Sequence, residues 1–182
     1  MNKHKYIAVF CSAIDLEEKY IKPAQEFARM MAKNGYYLVW GGSNTGLMRT
    51  IAEEVQKGGG ELIAVTIDLF KSVVKKDANE VIVATSLGER KATMLLKADA
   101  IVVLVGGVGT LDEAMEVIEL KKENQHNKPI VLLNTDNFYT GLKHQLQRMQ
   151  NEGFMHKHVD ELVYFADTPE AAMEYISEKL SS

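Results

Sequence analysis

The sequence is poor in cysteine and contains no long apolar run, and both absences limit what the protein can be. Cys11 is its one cysteine, so no disulfide can form within the chain, and a reducing compartment is the simplest expectation. No apolar run approaches the roughly 18 residues that a membrane-spanning helix needs. No signal-peptide pattern follows the first residues. We therefore expect a cytoplasmic protein with no membrane partner.

The sequence also has no excess of basic residues. Lysine and arginine number 21 against 25 aspartate and glutamate residues, which gives a net charge of -4. This balance disfavours a protein that binds nucleic acid through its overall charge, but it allows a local pocket for a small anion. The length of 182 residues fits one domain, and we predict a single Rossmann-like domain over residues 1–182.

What the sequence does contain is a regular alternation of strand and helix patterns. Such alternation predicts an α/β fold, namely a three-layer, doubly wound, Rossmann-like structure with a mainly parallel sheet of about seven strands. Strands are predicted at residues 6–10, 37–40, 62–67, 80–84, 100–105, 129–133 and 161–165, and helices at residues 15–34, 47–57, 88–98, 111–124, 138–152 and 169–180.

Several residues predict how individual segments begin and end. Pro23 is expected to start the main part of the first helix, where a missing N–H is tolerated, and Gly35 is expected to end that helix. Thr168 is expected to cap the last helix, with Pro169 at its first position. Residues 68–79 are predicted to form an irregular, mobile loop.

A glycine-rich turn between a buried strand and a helix is the most informative segment. Bare backbone N–H groups at a helix N-terminus form a binding site for anions such as phosphate. Glu113 and Glu116 follow the turn, about one helical turn apart and on roughly one face. A purely structural alternative is that Thr110 and Glu113 form a capping box. The predicted substrate-binding residues of this turn are Gly106, Gly107, Val108, Gly109 and Thr110, and the phosphate is expected on the N–H groups of Gly107, Gly109 and Thr110.

A second glycine-rich turn occupies residues 41–46, again directly after a predicted strand. Ligands of doubly wound sheets bind at the carboxyl ends of the strands. The loops after residues 10, 40 and 105 should therefore converge and bring Ser12, Gly42 and Ser43 to one site. No G-x-G-x-x-G pattern follows the first strand, which disfavours a nicotinamide-dependent dehydrogenase.

The charged run Glu89-Arg90-Lys91 follows another predicted strand. By itself it could be a solvated helix start. Because it lies near a strand end, its side chains could also reach the same crevice. The planar guanidinium of Arg90 suits phosphate or ribose oxygens. His156 and His158 have no evident third ligand, so no metal site is predicted.

These segments resemble the LONELY GUY family, the cytokinin riboside 5′-monophosphate phosphoribohydrolases, whose relatives carry the older label lysine decarboxylase-like. The family's P-G-G-x-G-T-x-x-E motif is similar to residues 105–113, with Val105 in place of the proline. Its arginine–lysine pair ahead of a methionine is similar to Arg90-Lys91 and Met94. Its Y-G-G-G-x-x-G-L-M-G segment is similar to residues 40–49, with Ser43 and Arg49 replacing two glycines.

The resemblance implies a homodimer that hydrolyses a nucleoside 5′-monophosphate to free base and ribose 5-phosphate, with Arg90 and Glu113 as catalytic residues. AMP or N6-modified AMP is the expected substrate, and no metal or cofactor is expected. We expect divergence from the family on the base side of the pocket. Besides the glycine-rich turn, the expected substrate-binding residues are Lys91, Glu116, Ser12, Gly42 and Ser43.

Two other functions stay open at this point. A non-catalytic nucleotide or cofactor carrier on the same scaffold would bind AMP tightly without turning it over. An amino-acid decarboxylase, as the older label suggests, would require a lysine that forms a Schiff base with pyridoxal phosphate.

Overall fold

In the computed structural model, which describes residues 4–181, a seven-stranded parallel sheet has helices on both faces. The strand order is β4-β3-β2-β1-β5-β6-β7. The predicted doubly wound α/β fold is confirmed, whereas the single domain over residues 1–182 stays a prediction. The strands are β1 (Lys5–Phe10), β2 (Tyr36–Trp40), β3 (Leu62–Ile67), β4 (Glu80–Ala84), β5 (Ala100–Val103), β6 (Ile130–Leu133) and β7 (Tyr164–Ala166). The helices are α1 (Glu18–Lys33), α2 (Gly46–Lys57), α3 (Leu87–Lys97), α4 (Val108–Lys122), α5 (Thr140–Asn151), α6 (Val159–Leu162) and α7 (Pro169–Ser181).

The apolar core forms two layers, one on each face of the sheet. Successive side chains of a strand point to opposite faces. Ile7 and Val9 of β1 accordingly join one layer, while Ala8 and Phe10 join the other. Central strands buried on both faces explain the continuous apolar runs of the sequence. Within residues 4–181, no helix combines the length and the apolar character that crossing a membrane requires.

The first helix does not begin its main part at Pro23, and that prediction was wrong. The backbone N–H groups of Tyr20 and Ile21 both donate to the carbonyl of Glu17, at 2.9 and 3.2 Å. The helix is therefore established before Pro23, and the proline only removes one hydrogen bond from its interior. Gly35, with a φ of +73°, directly follows the end of the helix as predicted.

The C-terminal region contains a short helix where a strand was expected. Residues 161 and 162, the predicted start of the last strand, belong to α6, where the Glu161 carboxylate accepts the backbone N–H of His158 at 2.9 Å. The predicted start of α7 is confirmed. The Thr168 hydroxyl accepts the backbone N–H of Ala171 at 3.2 Å, and Pro169 is the first helical residue.

The segment after β3 is more regular than expected, since a 3₁₀ helix occupies Asp68–Val73. An isolated antiparallel bridge then joins it to the second glycine-rich turn. In this bridge the N–H of Asn44 donates to the carbonyl of Val73 at 2.7 Å, and the N–H of Lys75 donates to the carbonyl of Gly42 at 2.8 Å. We call residues 68–75 the strap, because two backbone bonds tie it across the end of the sheet.

Candidate active site

The order of the strands reverses at β1, and the candidate site lies at the carboxyl end of the sheet at that point. Reversal sends the following helices to opposite faces, so a crevice opens between them. A cavity of about 400 Å³ occupies this position. The loops after β1, β2 and β5 converge there as predicted, and the strap adds a further wall. The predicted site residues that line the cavity are Ser12, Ser43, Arg90, Lys91, Gly107, Gly109, Thr110 and Glu113.

A buried ion pair between Arg90 and Glu113 lies at the centre of the site. One guanidinium nitrogen of Arg90 donates to Oε1 of Glu113 at 2.6 Å, and Nε donates to the backbone carbonyl of Val65 at 2.9 Å. Arg90 is 6% exposed and Glu113 is 7% exposed. The run at residues 89–91 is therefore not simply a solvated helix start. Ser86 caps α3 through the N–H of Glu89, and Arg90 follows on the face turned towards the sheet.

Burial raises the pKa of the Glu113 carboxyl above its ordinary value, and the neighbouring Arg90 opposes that rise. A carboxylate with a raised pKa is a stronger base than an exposed one, and the ion pair fixes its orientation. The pair can therefore present an oriented, basic carboxylate to a ligand in the cavity.

The glycine-rich turn at residues 106–110 ends earlier than predicted, because α4 begins at Val108. The first intrahelical bond runs from the N–H of Leu111 to the carbonyl of Gly107 at 3.0 Å. Thr110 thus lies inside the helix, and the capping-box alternative was wrong, since the Glu113 carboxylate contacts Arg90 instead. The N–H groups of residues 108–110 precede the first helical bond. A Cβ added at Gly107 or Gly109 would meet nothing within 4 Å, so this helix end is open to a ligand.

Lys91 and Glu116 form a second ionic contact between α3 and α4. The Lys91 ammonium donates to Oδ2 of Asp112 at 2.8 Å and also pairs with the Glu116 carboxylate. These two carboxylates raise the pKa of Lys91, which keeps it protonated. Glu116 is not among the residues that line the cavity. The structure places Glu116 beside Lys91, and its role in substrate binding stays a prediction.

Three further predicted site residues also lie outside the cavity lining. Gly42 shapes the second turn with a φ of +81°, and Gly106 leaves room for the Thr110 side chain, whose Oγ1 would lie 2.2 Å from an added Cβ. The Val108 side chain is 86% exposed. Val108 therefore contributes only its backbone N–H to the open helix end.

Sequence reasoning missed Gly41, which makes space for the catalytic candidate Arg90. A Cβ at position 41 would lie 2.1 Å from a terminal nitrogen of the Arg90 guanidinium. Gly41 has an ordinary backbone conformation, because it is not among the glycines with positive φ. A glycine is therefore needed at position 41 only because a side chain would collide with Arg90. Only the position of the glycine directly after a strand could have suggested this role.

Replacing Gly41 with alanine should displace the Arg90 guanidinium from Glu113. If the pair is catalytic, as the family resemblance implies, the hydrolysis rate should fall by about 100-fold, the effect typical of a misplacement near 1 Å. Steady-state kinetics and urea unfolding would measure the change. The matched control is Gly141→Ala, because a Cβ there meets nothing within 4 Å in α5. That control should gain about 0.5–1 kcal/mol of stability. Equal activity of the two variants would contradict the role of Gly41.

The fold and site together define a doubly wound α/β protein with an open helix N-terminus beside a buried arginine–glutamate pair. The family model described as "Possible lysine decarboxylase" matches residues 48–176. A relative from Oryza sativa subsp. japonica, "Probable cytokinin riboside 5'-monophosphate phosphoribohydrolase LOGL9", is 35% identical over 93% of this chain and 75% of its own length. The chain belongs to this family, known as the LONELY GUY family.

Two further similarities agree with this assignment. "Cytokinin riboside 5'-monophosphate phosphoribohydrolase LOG", also from Oryza sativa subsp. japonica, is 33% identical over 92% of this chain and 70% of its own length. Among solved structures, the molybdenum cofactor carrier protein of Chlamydomonas reinhardtii superposes with a TM-score of 0.76 at 22% identity. That match covers 99% of this chain and 100% of the other. At this level of identity, the structural match establishes the fold alone.

Proposed function

We propose that this protein hydrolyses the N-glycosidic bond of a nucleoside 5′-monophosphate and releases the free base and ribose 5-phosphate. The observation that carries the proposal is the buried Arg90–Glu113 pair beside the open N-terminus of α4, within one cavity. The helix end provides a site for phosphate, and the pair provides an oriented carboxylate. The names of the curated relatives support the same reaction.

In this mechanism, the backbone N–H groups of residues 108–110 bind the phosphate and fix the position of the sugar. Positive charge builds on the ribose as the bond from C1′ to the base nitrogen breaks, and the bonding electron pair leaves with the base. The Glu113 carboxylate stabilises this charge and takes a proton from the attacking water, whose oxygen bonds to C1′. The base nitrogen gains a proton from solvent. Arg90 holds Glu113 in place throughout.

The expected substrate is AMP or N6-modified AMP. Four partly exposed apolar side chains also line the cavity, and they suit a planar base with or without an apolar substituent. They are Ile14, Phe70, Val73 and Leu87. The homodimer implied by the family resemblance stays a prediction.

Decarboxylation of an amino acid does not fit the site, despite the description of the family model. Schiff-base chemistry requires a lysine amine that can lose its proton. Lys91 is the lysine that lines the cavity among residues 4–181, and its ammonium is paired with Asp112 and Glu116. These carboxylates raise its pKa and so disfavour the reactive, neutral amine.

A carrier that binds a phosphorylated ligand without cleaving it is the second candidate. The solved structures with this fold include a protein named as a molybdenum cofactor carrier and one named as a molybdenum cofactor binding protein. Such a carrier needs the open helix end but does not require a buried, oriented carboxylate in the cavity. The Arg90–Glu113 pair therefore favours hydrolysis over carriage.

A hydrolysis screen with the purified protein tests the two candidates against each other. We expect release of ribose 5-phosphate from AMP and N6-modified AMP, and much slower cleavage of the matching nucleosides, which lack the phosphate. Cleavage would be followed by chromatographic detection of the free base. Tight AMP binding with no free base formed would favour the carrier, and cleavage of adenosine as fast as AMP would contradict the phosphate site.

A further inference from the structure

The two glycine-rich turns look alike in sequence, but only one of them offers a helix end to a ligand. At the second turn, a Cβ on Gly46 would lie 2.4 Å from the backbone of Ala13 and Ile14. The N–H of Met48 already donates to the carbonyl of Ser12 at 3.1 Å. The chain after β1 therefore covers the N-terminus of α2, whereas the N-terminus of α4 stays open.

The hydrogen bonds of the second turn fix what the Ser43 hydroxyl can do. The Thr45 hydroxyl lies 2.9 Å from the carbonyl oxygen of Ala13, and a carbonyl can only accept, so Thr45 donates its single hydrogen there. Thr45 must then accept in its 2.8 Å contact with Ser43, and Ser43 must donate. Ser43 is 7% exposed and lines the cavity. Its oxygen therefore presents only lone pairs to a ligand.

The Ser12 hydroxyl has the opposite hydrogen-bonding role, because it can donate to a ligand. Its Oγ accepts the backbone N–H of Ile14 at 3.0 Å, which leaves the hydroxyl hydrogen available to the cavity. Ser12 is 8% exposed and lines the same cavity. A phosphate near neutral pH carries mainly acceptor oxygens. Ser12 can therefore donate to a phosphate, and Ser43 cannot.

We propose that Ser43 is a specificity-determining acceptor, which binds a neutral hydrogen-bond donor of the nucleotide and excludes phosphate from the second turn. The donor is a ribose hydroxyl or the exocyclic amine of the base. This inference rests on the proposed function, because it assigns ends of the cavity to parts of one nucleotide. The phosphate lies at α4 near Ser12, and the donor-bearing part lies towards Ser43 and the strap.

The strap supports this orientation independently of the hydroxyl groups. Val73, whose carbonyl accepts the N–H of Asn44, lines the cavity together with Phe70. Ser43 lines the same cavity and pairs with Val74 of the strap in the antiparallel bridge. An apolar wall next to an acceptor suits a purine ring and its amine or the adjoining sugar, and it suits a doubly charged phosphate poorly.

The test measures affinity by titration calorimetry with AMP, IMP, 2′-deoxy-AMP and inorganic phosphate, so that it does not depend on turnover. IMP replaces the amine with an acceptor oxygen, and 2′-deoxy-AMP lacks one ribose hydroxyl. The wild-type protein should bind at least one of these analogues about tenfold more weakly than AMP, the size typical of one lost hydrogen bond. Ser43→Ala should remove that discrimination.

Thr45→Val provides a second, independent variant. Without the Thr45 oxygen, the Ser43 hydroxyl can turn and donate, so discrimination against the weaker-binding analogue should fall even though Ser43 is present. Inorganic phosphate should bind more weakly to Ser12→Ala than to Ser43→Ala. Loss of discrimination against IMP alone would assign the amine, and loss against 2′-deoxy-AMP alone would assign the hydroxyl.

Two results would overturn the inference. One is an AMP-to-analogue affinity ratio that is the same in the wild type, Ser43→Ala and Thr45→Val proteins. The other is a loss of phosphate affinity in Ser43→Ala as large as in Ser12→Ala. Failure of the proposed function would look different, because nucleotides would then bind with these preferences without being cleaved.

Discussion

Replacing Glu113 with glutamine is expected to lower kcat on AMP by roughly 100-fold or more, the scale of a positioned acid–base group. Glutamine has nearly the same shape, and its carbonyl oxygen can still accept the Arg90 N–H that now donates at 2.6 Å. What disappears is the negative charge that, in the proposed mechanism, faces the ribose. Because the proposed phosphate contacts are backbone N–H groups of α4, KM should change little.

The control for this variant is Glu119→Gln, six residues further along α4. Glu119 is exposed and pairs with Lys122, away from the cavity. Its variant should keep wild-type kinetics, and full turnover in Glu113→Gln would remove Glu113 from the mechanism.

The dependence of the rate on pH provides a further check on Glu113. The ionised carboxylate is the active form, so kcat/KM should rise as the pH increases through the pKa of Glu113. Burial raises that pKa above the ordinary value of 4.5. The midpoint of the acid limb should therefore lie above 4.5 in the wild-type protein, and the limb should be absent from the residual activity of Glu113→Gln.

Replacing Arg90 with methionine should both abolish activity and destabilise the protein by about 3–5 kcal/mol at neutral pH, as is typical when one partner of a buried ion pair is removed. Glu113 would then be a buried charge without its cation, and the carbonyl of Val65 would lose its donor. Urea unfolding would give the loss as a lower midpoint with an unchanged slope.

The double variant Arg90→Met/Glu113→Gln shows how much of the lost stability comes from the unpaired Glu113 charge and how much from the lost packing of Arg90. It removes the uncompensated carboxylate, so it should unfold at a higher urea concentration than Arg90→Met alone. A double variant no more stable than Arg90→Met would contradict the burial cost of Glu113.

The loss in Arg90→Met should also depend on pH. Without Arg90 the folded-state pKa of Glu113 rises further above the unfolded value. The folded protein then holds a proton that the unfolded chain releases, so stability is greatest below the unfolded pKa and falls as the pH rises past it.

Much of the fold could be predicted because each strand is a local pattern bounded by local breakers. The predicted bounds of β3 and β4 match the structure, since glycines precede β3 and polar residues flank β4. The start of α4 was missed because residues 107–109 contain two glycines, which disfavour helix in a local reading. In the folded chain, the helix nevertheless begins at Val108.

The sequence predicted which residues belong to the site but not which of them contact each other. Arg90 and Glu113 were singled out by their motifs, yet only the fold shows that they bind each other across 23 residues of sequence. The space that Gly41 leaves for Arg90 is likewise a contact between distant segments, and no spacing rule detects it. Whether the Ser43 hydroxyl donates or accepts depends on its contact with Thr45 and on the bond from Thr45 to Ala13. Only the three-dimensional structure shows these contacts.

The way in which the strap is held has a consequence for how this enzyme scaffold can change. Its bridge to the second turn consists of two bonds between main-chain atoms, which form whatever the side chains are. Substitutions at Phe70 or Val73 therefore reshape one wall while the Arg90–Glu113 pair, carried by α3 and α4, keeps its place. Selectivity can diverge here without rebuilding the chemistry, which makes the strap the natural segment to exchange when engineering new base preferences.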